Sequence, residues 1–367
     1  MKKIIAAIIA VSVFLYPINV KSISAKAYIL INADTGAIID GDNIDLKLPM
    51  ASTTKIMTAY LLALQNTPNK TVKVTKEMVT VEGSSMGLLE GDQVSYHDLL
   101  YGMLLASGND AANVTAYVLA GSPAKFADMM NAKALELGLS NTHFVTPSGL
   151  DDENHYTTCR DLALLARIAM QNVNFYKAAS SKSAVLKYGN PPYRRTLTNH
   201  NKLLNAFDGA VGVKTGFTKK SGRCLVSAAK RQGRYVIAVT LNDTDDWNDH
   251  SELLNYGLNH LYNYEIDLSK IDKSIPIIGG ECDRAGLEIP SFKLSLYKGE
   301  KDLLSYEYKV KRFSYAPVKK GTHVGEIIYY YKKDVLAKYP VTISNDVNID
   351  DSSFLSKFFS CLKLILI

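Results

Sequence analysis

The chain has 367 residues, a formal net charge of +6 and 47% apolar residues, which is enough for two packed domains and too apolar for a disordered chain. Its Lys and Arg excess is spread along the sequence with no basic run interleaved with aromatics, so nucleic-acid binding is not indicated. The cysteines at 159, 224, 282 and 361 form no C-x-x-C pair and the seven histidines show no ligand spacing, so neither a metal nor a cofactor is expected.

Lys2-Lys3 followed by a run over residues 4–15 that is apolar but for Ser12, and a break at Pro17, reads as an export signal, too short to span a bilayer. We assign residues 1–25 to it. Two short apolar runs, 28–32 and 37–40, flank Ala33-Asp34-Thr35-Gly36 and predict a hairpin. Pro49-Met50-Ala51-Ser52-Thr53-Thr54-Lys55 then opens a helix that is apolar nearly all round, the pattern of a helix buried on every side. Residues 72–81 read as β-rich and lead into a glycine-punctuated loop up to Asp92. That loop contains Gly83-Ser84-Ser85-Met86-Gly87, a G-x-S-x-G match, but Gly87 and Glu90-Gly91-Asp92 leave no room for the helix a nucleophile elbow requires, and a structural turn is the better account.

A helical stripe (Leu99, Leu100, Met103, Leu104, Leu105) stops at Ser107-Gly108-Asn109-Asp110, and further helices are expected over 111–119, 126–137 and 161–170. His155, in the loop after Pro147-Ser148-Gly149-Leu150, reads as structural. From Gly209 the period becomes two: strands over 209–218, 225–229 and 235–241 predict an antiparallel meander, closed by a helix over 251–262. Beyond residue 265 only short β-like runs follow (287–297, 304–315, 324–331, 337–343), which predicts a small all-β domain over 265–350 after a catalytic domain over 26–264. Residues 354–367 are apolar except for Ser356, Lys357, Ser360 and Lys363 on one helical face; at ~21 Å such a helix lies in a membrane interface rather than spanning it, and 351–367 are assigned as an anchor.

Ser52 and Lys55 are three apart and share a helix face, so a desolvated amine can act as base for the serine hydroxyl. The spacing alone does not single them out, since Ser122/Lys125, Ser227/Lys230, Ser295/Lys298 and Ser360/Lys363 repeat it. What does so is the order of three elements: Ser52-x-x-Lys55, Ser107-Gly108-Asn109 and Lys214-Thr215-Gly216, the joint signature of β-lactamases and penicillin-binding proteins, here with Gly108 at the central position.

With Ala51-Ser52-Thr53-Thr54-Lys55-Ile56-Met57-Thr58, Ser107-Gly108-Asn109-Asp110-Ala111-Ala112 and Val213-Lys214-Thr215-Gly216-Phe217-Thr218, the chain resembles the serine D-alanyl-D-alanine carboxypeptidases, the low-molecular-mass penicillin-binding proteins. The resemblance implies an α/β (α+β) serine β-lactamase/transpeptidase-like domain, with an antiparallel sheet and a helical subdomain, followed by a small all-β domain. It also implies a peptidoglycan stem peptide as substrate and β-lactams as inhibitors. Ser52 would be the nucleophile, Lys55 its base, Ser107 a proton relay and Asn109 the ligand of the acyl amide. Lys214, Thr215 and Thr218 would receive the terminal carboxylate, and the N–H groups of Ser52 and Phe217, beside Gly216, would hold the oxyanion. The chain departs from the arginine of some members at His200-Asn201. A class A β-lactamase would need an E-x-x-x-N, yet Ser140 and Thr157 stand four residues after Glu136 and Glu153. Endopeptidase action on cross-links and a β-lactam sensor are the other readings.

Overall fold

The structure, a computed structural model, describes residues 23–350 and Phe358. The expected export segment, save residues 23–25, and the expected anchor helix, save Phe358, lie outside the described residues.

The predicted hairpin forms from Ala27–Asn32 and Ile38–Asp42, and the first strand pairs on its other side with Arg234–Asp243, Ile29 facing Val239. The meander Ala210–Thr218, Gly222–Arg231 and Arg234–Asp243 completes a five-stranded antiparallel sheet in which Ala210–Thr218 is an edge. Residues 224–229 are buried on both faces. Helix Asp246–His260 covers one face, packing Leu253, Leu254 and Leu258 on Leu30, Leu225, Val236 and Ala238. The other face carries Ile29, Ile31, Val226, Ile237 and Val239 into the core shared with the helical region.

At the centre of that region lies helix Lys55–Ala63, buried at every residue but Tyr60, as its all-round apolar pattern predicts. Around it pack Tyr96–Leu104, Asn109–Ala120, Pro123–Glu136, Cys159–Ala169 and Val173–Ser180. Ser95 and Asp98 close a capping box at the start of Tyr96–Leu104, satisfying first-turn donors for roughly 1 kcal/mol.

Two expectations fail here. Residues 72–81 are not a strand: Thr71–Lys73 pairs with Gln93–Ser95, and Lys76–Val79 is a helical turn whose Met78 carbonyl accepts from Asn113 Nδ2 at 2.9 Å, a tertiary contact that overrides local β preference. Ser183–Gly189 and Pro192–Thr198 form a hairpin with no clear sequence signal, because lysines and arginines on its outer face mask the alternation of buried Leu186 and Tyr188.

The C-terminal region is a six-stranded sheet in the order Leu304–Val310, His323–Tyr331, Asp334–Ile343, Arg284–Glu288, Ser274–Ile278, Ser314–Tyr315. Expected run 287–297 breaks at Pro290, leaving Lys293–Leu296 to pair with Tyr262–Glu265 outside that sheet; run 304–315 breaks at 311–313. A 3-10 turn, Lys301–Leu303, is the only helical element among the described residues 266–350. This region meets the first sheet at the 33–36 turn. Buried Glu300 accepts from Asn32 Nδ2 at 2.9 Å, from the Thr35 hydroxyl and from the Tyr297 amide, while Asp34 accepts from the Ser295 amide and hydroxyl, each at 2.7 Å.

Candidate active site

Ser52 lies in the 3-10 turn Ala51–Thr54 that precedes helix Lys55–Ala63. Lys55 Nζ is 2.8 Å from Ser52 Oγ and donates to the Ser148 carbonyl at 2.7 Å. The Lys55 side chain is fully buried, and this desolvation, reinforced by the charge of Lys214, holds its pKa well below the ordinary lysine value, with Asp110 opposing. An amine held neutral has a lone pair, and at 2.8 Å it can accept the serine proton.

The turn is fixed from below by the 147–155 loop. Thr58 Oγ1 donates to the Pro147 carbonyl at 2.6 Å. Gly149 has φ +89 and passes so close that an added Cβ would fall 1.9 Å from the Ala51 carbonyl oxygen, so no larger residue fits. Buried His155 reaches the same turn: its Nδ1 accepts from the Val145 amide at 2.9 Å, leaving Nε2–H to donate to Thr54 Oγ1 at 2.7 Å. Burial pulls its pKa to about 4, so it stays neutral in that tautomer. The histidine is structural, as its isolation suggested, but what it supports is the nucleophile's turn.

Ser107 sits at φ +57 between helices Tyr96–Leu104 and Asn109–Ala120, a left-handed position that reverses the chain. Asn109 donates through Nδ2 to the Glu82 carbonyl at 2.6 Å, which fixes the amide's orientation; its buried Oδ1 has no partner among the described residues. A free buried acceptor two residues from Ser107 suits a substrate N–H. Asp110, which the sequence reading left without a role, accepts from Ser85 Oγ at 2.6 Å and from the amides of Met86, Gly87 and Leu88 at 3.0, 3.1 and 3.0 Å. The G-x-S-x-G segment is therefore a turn clamped by Asp110, and Ser85 is tied up in it.

Edge strand Ala210–Thr218 forms the opposite wall. Gly216 lies against the serine turn: an added Cβ would come within 3.1 Å of the Ser52 and Thr53 nitrogens and the Met50 carbonyl oxygen. Lys214 is buried, and its Nζ donates to the Thr215 carbonyl at 2.8 Å. That carbonyl therefore turns away from the neighbouring strand, and alternation turns the main chain of Phe217 to the same open edge. Burial lowers the Lys214 pKa to about 7. The Phe217 side chain is exposed, while Thr218 Oγ1 is engaged with Asp151 Oδ1 at 2.8 Å and with Ser221. His200 is anchored by its amide to the Leu105 carbonyl, and burial and the Lys214 charge lower its pKa, which puts it on the same rim. The structure thus brings Ser52, Lys55 and the Gly216 strand together, with Lys214 close enough to act on Lys55. Among the described residues no cluster of His, Cys, Asp or Glu could hold a metal.

The profile of a family described as D-alanyl-D-alanine carboxypeptidase matches residues 16–245, and that of the penicillin-binding protein 5 C-terminal domain matches 286–348. The D-alanyl-D-alanine carboxypeptidase DacF of Bacillus subtilis is 30% identical, covering 88% of this chain and 86% of its own. DacA of Escherichia coli, named for the same activity, is also 30% identical over 94% and 89%. The crystal structure of penicillin binding protein 5 from Haemophilus influenzae superposes with a TM-score of 0.64 at 26% identity, covering 89% of this chain and 98% of that one.

Proposed function

The chain belongs to the D-alanyl-D-alanine carboxypeptidase family, and on that premise we propose that it removes the terminal D-alanine from peptidoglycan stem pentapeptides through an acyl-enzyme on Ser52. The observation that carries this reading is the fully buried Lys55 amine 2.8 Å from Ser52 Oγ.

Lys55 takes the Ser52 proton as Oγ attacks the carbonyl between the two D-alanines. The N–H groups of Ser52 and Phe217 receive the oxyanion, each contributing ~3 kcal/mol to the transition state. As the C–N bond breaks, the proton passes from Lys55 through Ser107 to the departing D-alanine amine. Asn109 Oδ1 accepts from the amide of the acyl part, and cationic Lys214, with Thr215, binds the terminal carboxylate. Thr218, already bonded to Asp151 and Ser221, reaches the carboxylate only by exchanging one of these bonds. Lys55, neutral again, draws a proton from the water that attacks the ester and passes it to Ser52 Oγ as the acyl–oxygen bond breaks and the shortened peptide leaves. A β-lactam offers the same amide and carboxylate and acylates Ser52.

The export-like segment and the amphipathic tail support a place on the outer face of the cytoplasmic membrane, the tail lying in the interface. No helix among the described residues is long and apolar enough to cross a membrane. The test is release of free D-alanine from a stem pentapeptide together with covalent labelling by a fluorescent penicillin, both lost in Ser52→Ala. Labelling that survives Ser52→Ala overturns the assignment of the nucleophile, and labelling without D-alanine release overturns the carboxypeptidase reading in favour of a sensor.

A further inference from the structure

The C-terminal sheet has two unlike ends. At one, Tyr331, Lys332 and Asp334 lie beside Ile29 and Arg167 of the catalytic region. Strand His323–Tyr331 runs from there to the far end, a distance of ~27 Å.

At that far end large apolar side chains stand in solvent: Tyr315 is 65% exposed, Ile349 48% and Phe313 43%. Phe313 and Tyr315 form an edge-to-face pair with centroids 5.5 Å apart. Tyr315 pairs with Ile278, the next residue Gly279 accepts from the Asp350 amide at 3.0 Å, and Gly280 bridges Ile349, so the aromatic pair and the outgoing chain share one corner. Exposed Lys311 and Arg312 precede the pair, and Lys319 and Lys320 follow it; Asp346 accepts from Lys319 Nζ at 3.1 Å, and Glu281 and Asp283 stand on the neighbouring turn.

The distance from this corner to the apolar tail is short. Three residues separate Asp350 from Phe354, and the four Cα–Cα steps between them reach at most ~14 Å fully extended. If the tail lies in a membrane interface, this corner cannot stand clear of the headgroups. Aromatic rings with a polar tip or edge, flanked by cations, are what an interface of that kind retains.

We propose that Phe313, Tyr315 and Ile349, with Lys311 and Arg312, form a second contact with a lipid bilayer surface. The inference rests on the tail being an interfacial anchor, and the experiment separates the two.

The full chain is bound to mixed phosphatidylethanolamine–phosphatidylglycerol vesicles, with Trp247→Phe in the background so that an introduced tryptophan reports alone. With Tyr315→Trp, emission shifts to the blue on vesicle addition and is quenched by lipids brominated high on the acyl chain; with Val335→Trp, at the opposite end of the sheet, neither occurs. Phe313→Ser with Tyr315→Ser weakens partitioning by about tenfold with D-alanine release in solution unchanged. Truncation after Ser353 abolishes partitioning. If truncation has no effect, the anchor reading fails and the proposal with it. If truncation abolishes binding but the reporter at 315 is neither shifted nor quenched, the anchor stands and the second contact is refuted. A blue shift at 315 without vesicles, lost on truncation, means that the tail docks on its own domain, which also overturns the proposal.

Discussion

The catalytic region buries two lysines, Lys55 and Lys214, the carboxylate Asp110 and the histidines His155 and His250, the last on the helix that covers the sheet's other face. Beyond residue 265 the buried side chains are aliphatic and aromatic except for Ser295 and Glu300 at the junction, and ion pairs such as Arg284–Asp272, Lys309–Glu307 and Lys319–Asp346 stand in solvent. Exposed pairs contribute at most ~1 kcal/mol, and a buried cation without a close counter-ion costs several. The catalytic region therefore carries polar groups that weaken its own fold, and the C-terminal sheet does not. Chemistry explains the difference, and four measurements can break or sharpen it.

Lys55→Met gives the largest effect. The side chain keeps its volume, so the helix packs as before, but Ser52 loses its base. We expect acylation by penicillin and D-alanine release to fall by ~10³-fold or more, while the thermal midpoint stays level or rises because a buried amine is replaced by an apolar group. A variant that loses stability and activity together would place Lys55 among structural residues and dissolve the contrast.

Acid should act on one region before the other. Burial lowers the pKa of His155 from 6.5 to about 4 and of His250 to about 3. Both are neutral when folded and bind protons when unfolded, so the stability they hold is complete above 6.5 and is lost as pH falls from there towards 4 and 3. For His155 alone the loss is about 3 kcal/mol over the whole window. The C-terminal sheet has only exposed His323. Urea unfolding followed by hydrogen exchange, between pH 6.5 and 5, should show the helical region weakening while the far strands hold; equal loss in both would remove the histidines as the cause.

What the sequence made legible follows the same division. The first and third motifs made Ser52, Lys55 and Gly216 legible as neighbours, because the proposed chemistry needs those residue types at fixed spacing on defined elements. The meander and hairpin were legible from their alternation. Asp110 was not, because a carboxylate that gathers amides from a loop twenty-odd residues away has no local pattern. Neither was hairpin 183–198, where Arg195 lies over the rings of Tyr188 and Tyr193 and its charge hides a buried role. His155 was read as structural; that it supports Thr54 depends on a contact 101 residues apart in sequence.

The junction is where the two regions can be uncoupled. Glu300→Ala leaves Asn32 Nδ2, the Thr35 hydroxyl and the Tyr297 amide without their acceptor, a loss of ~2 kcal/mol. Glu300→Gln should recover most of it, since one amide oxygen can take the two N–H donors while the Thr35 hydroxyl turns to accept from the amide nitrogen. Calorimetry should show the alanine variant's C-terminal transition moving down with kcat for D-alanine release unchanged; a fall in kcat would mean that the sheet domain shapes the active site.

The smallest effect is the most specific to the pair of lysines. In the free enzyme Lys55 must be neutral to act, so kcat/KM rises with pH as Lys55 loses its proton. Lys214 must be cationic to attract the substrate carboxylate, and burial places its pKa at about 7. Above that value the binding cation is lost, and kcat/KM should fall by about tenfold per pH unit, giving a bell whose falling limb lies near 7. Lys214→Arg keeps the charge to high pH and should carry the falling limb out of range while leaving the rising limb in place. If that limb stays near 7 in the arginine variant, the titrating group is another one. The charge that Lys214 loses would then have no part in binding, and the cost of burying it would need a reason other than the substrate.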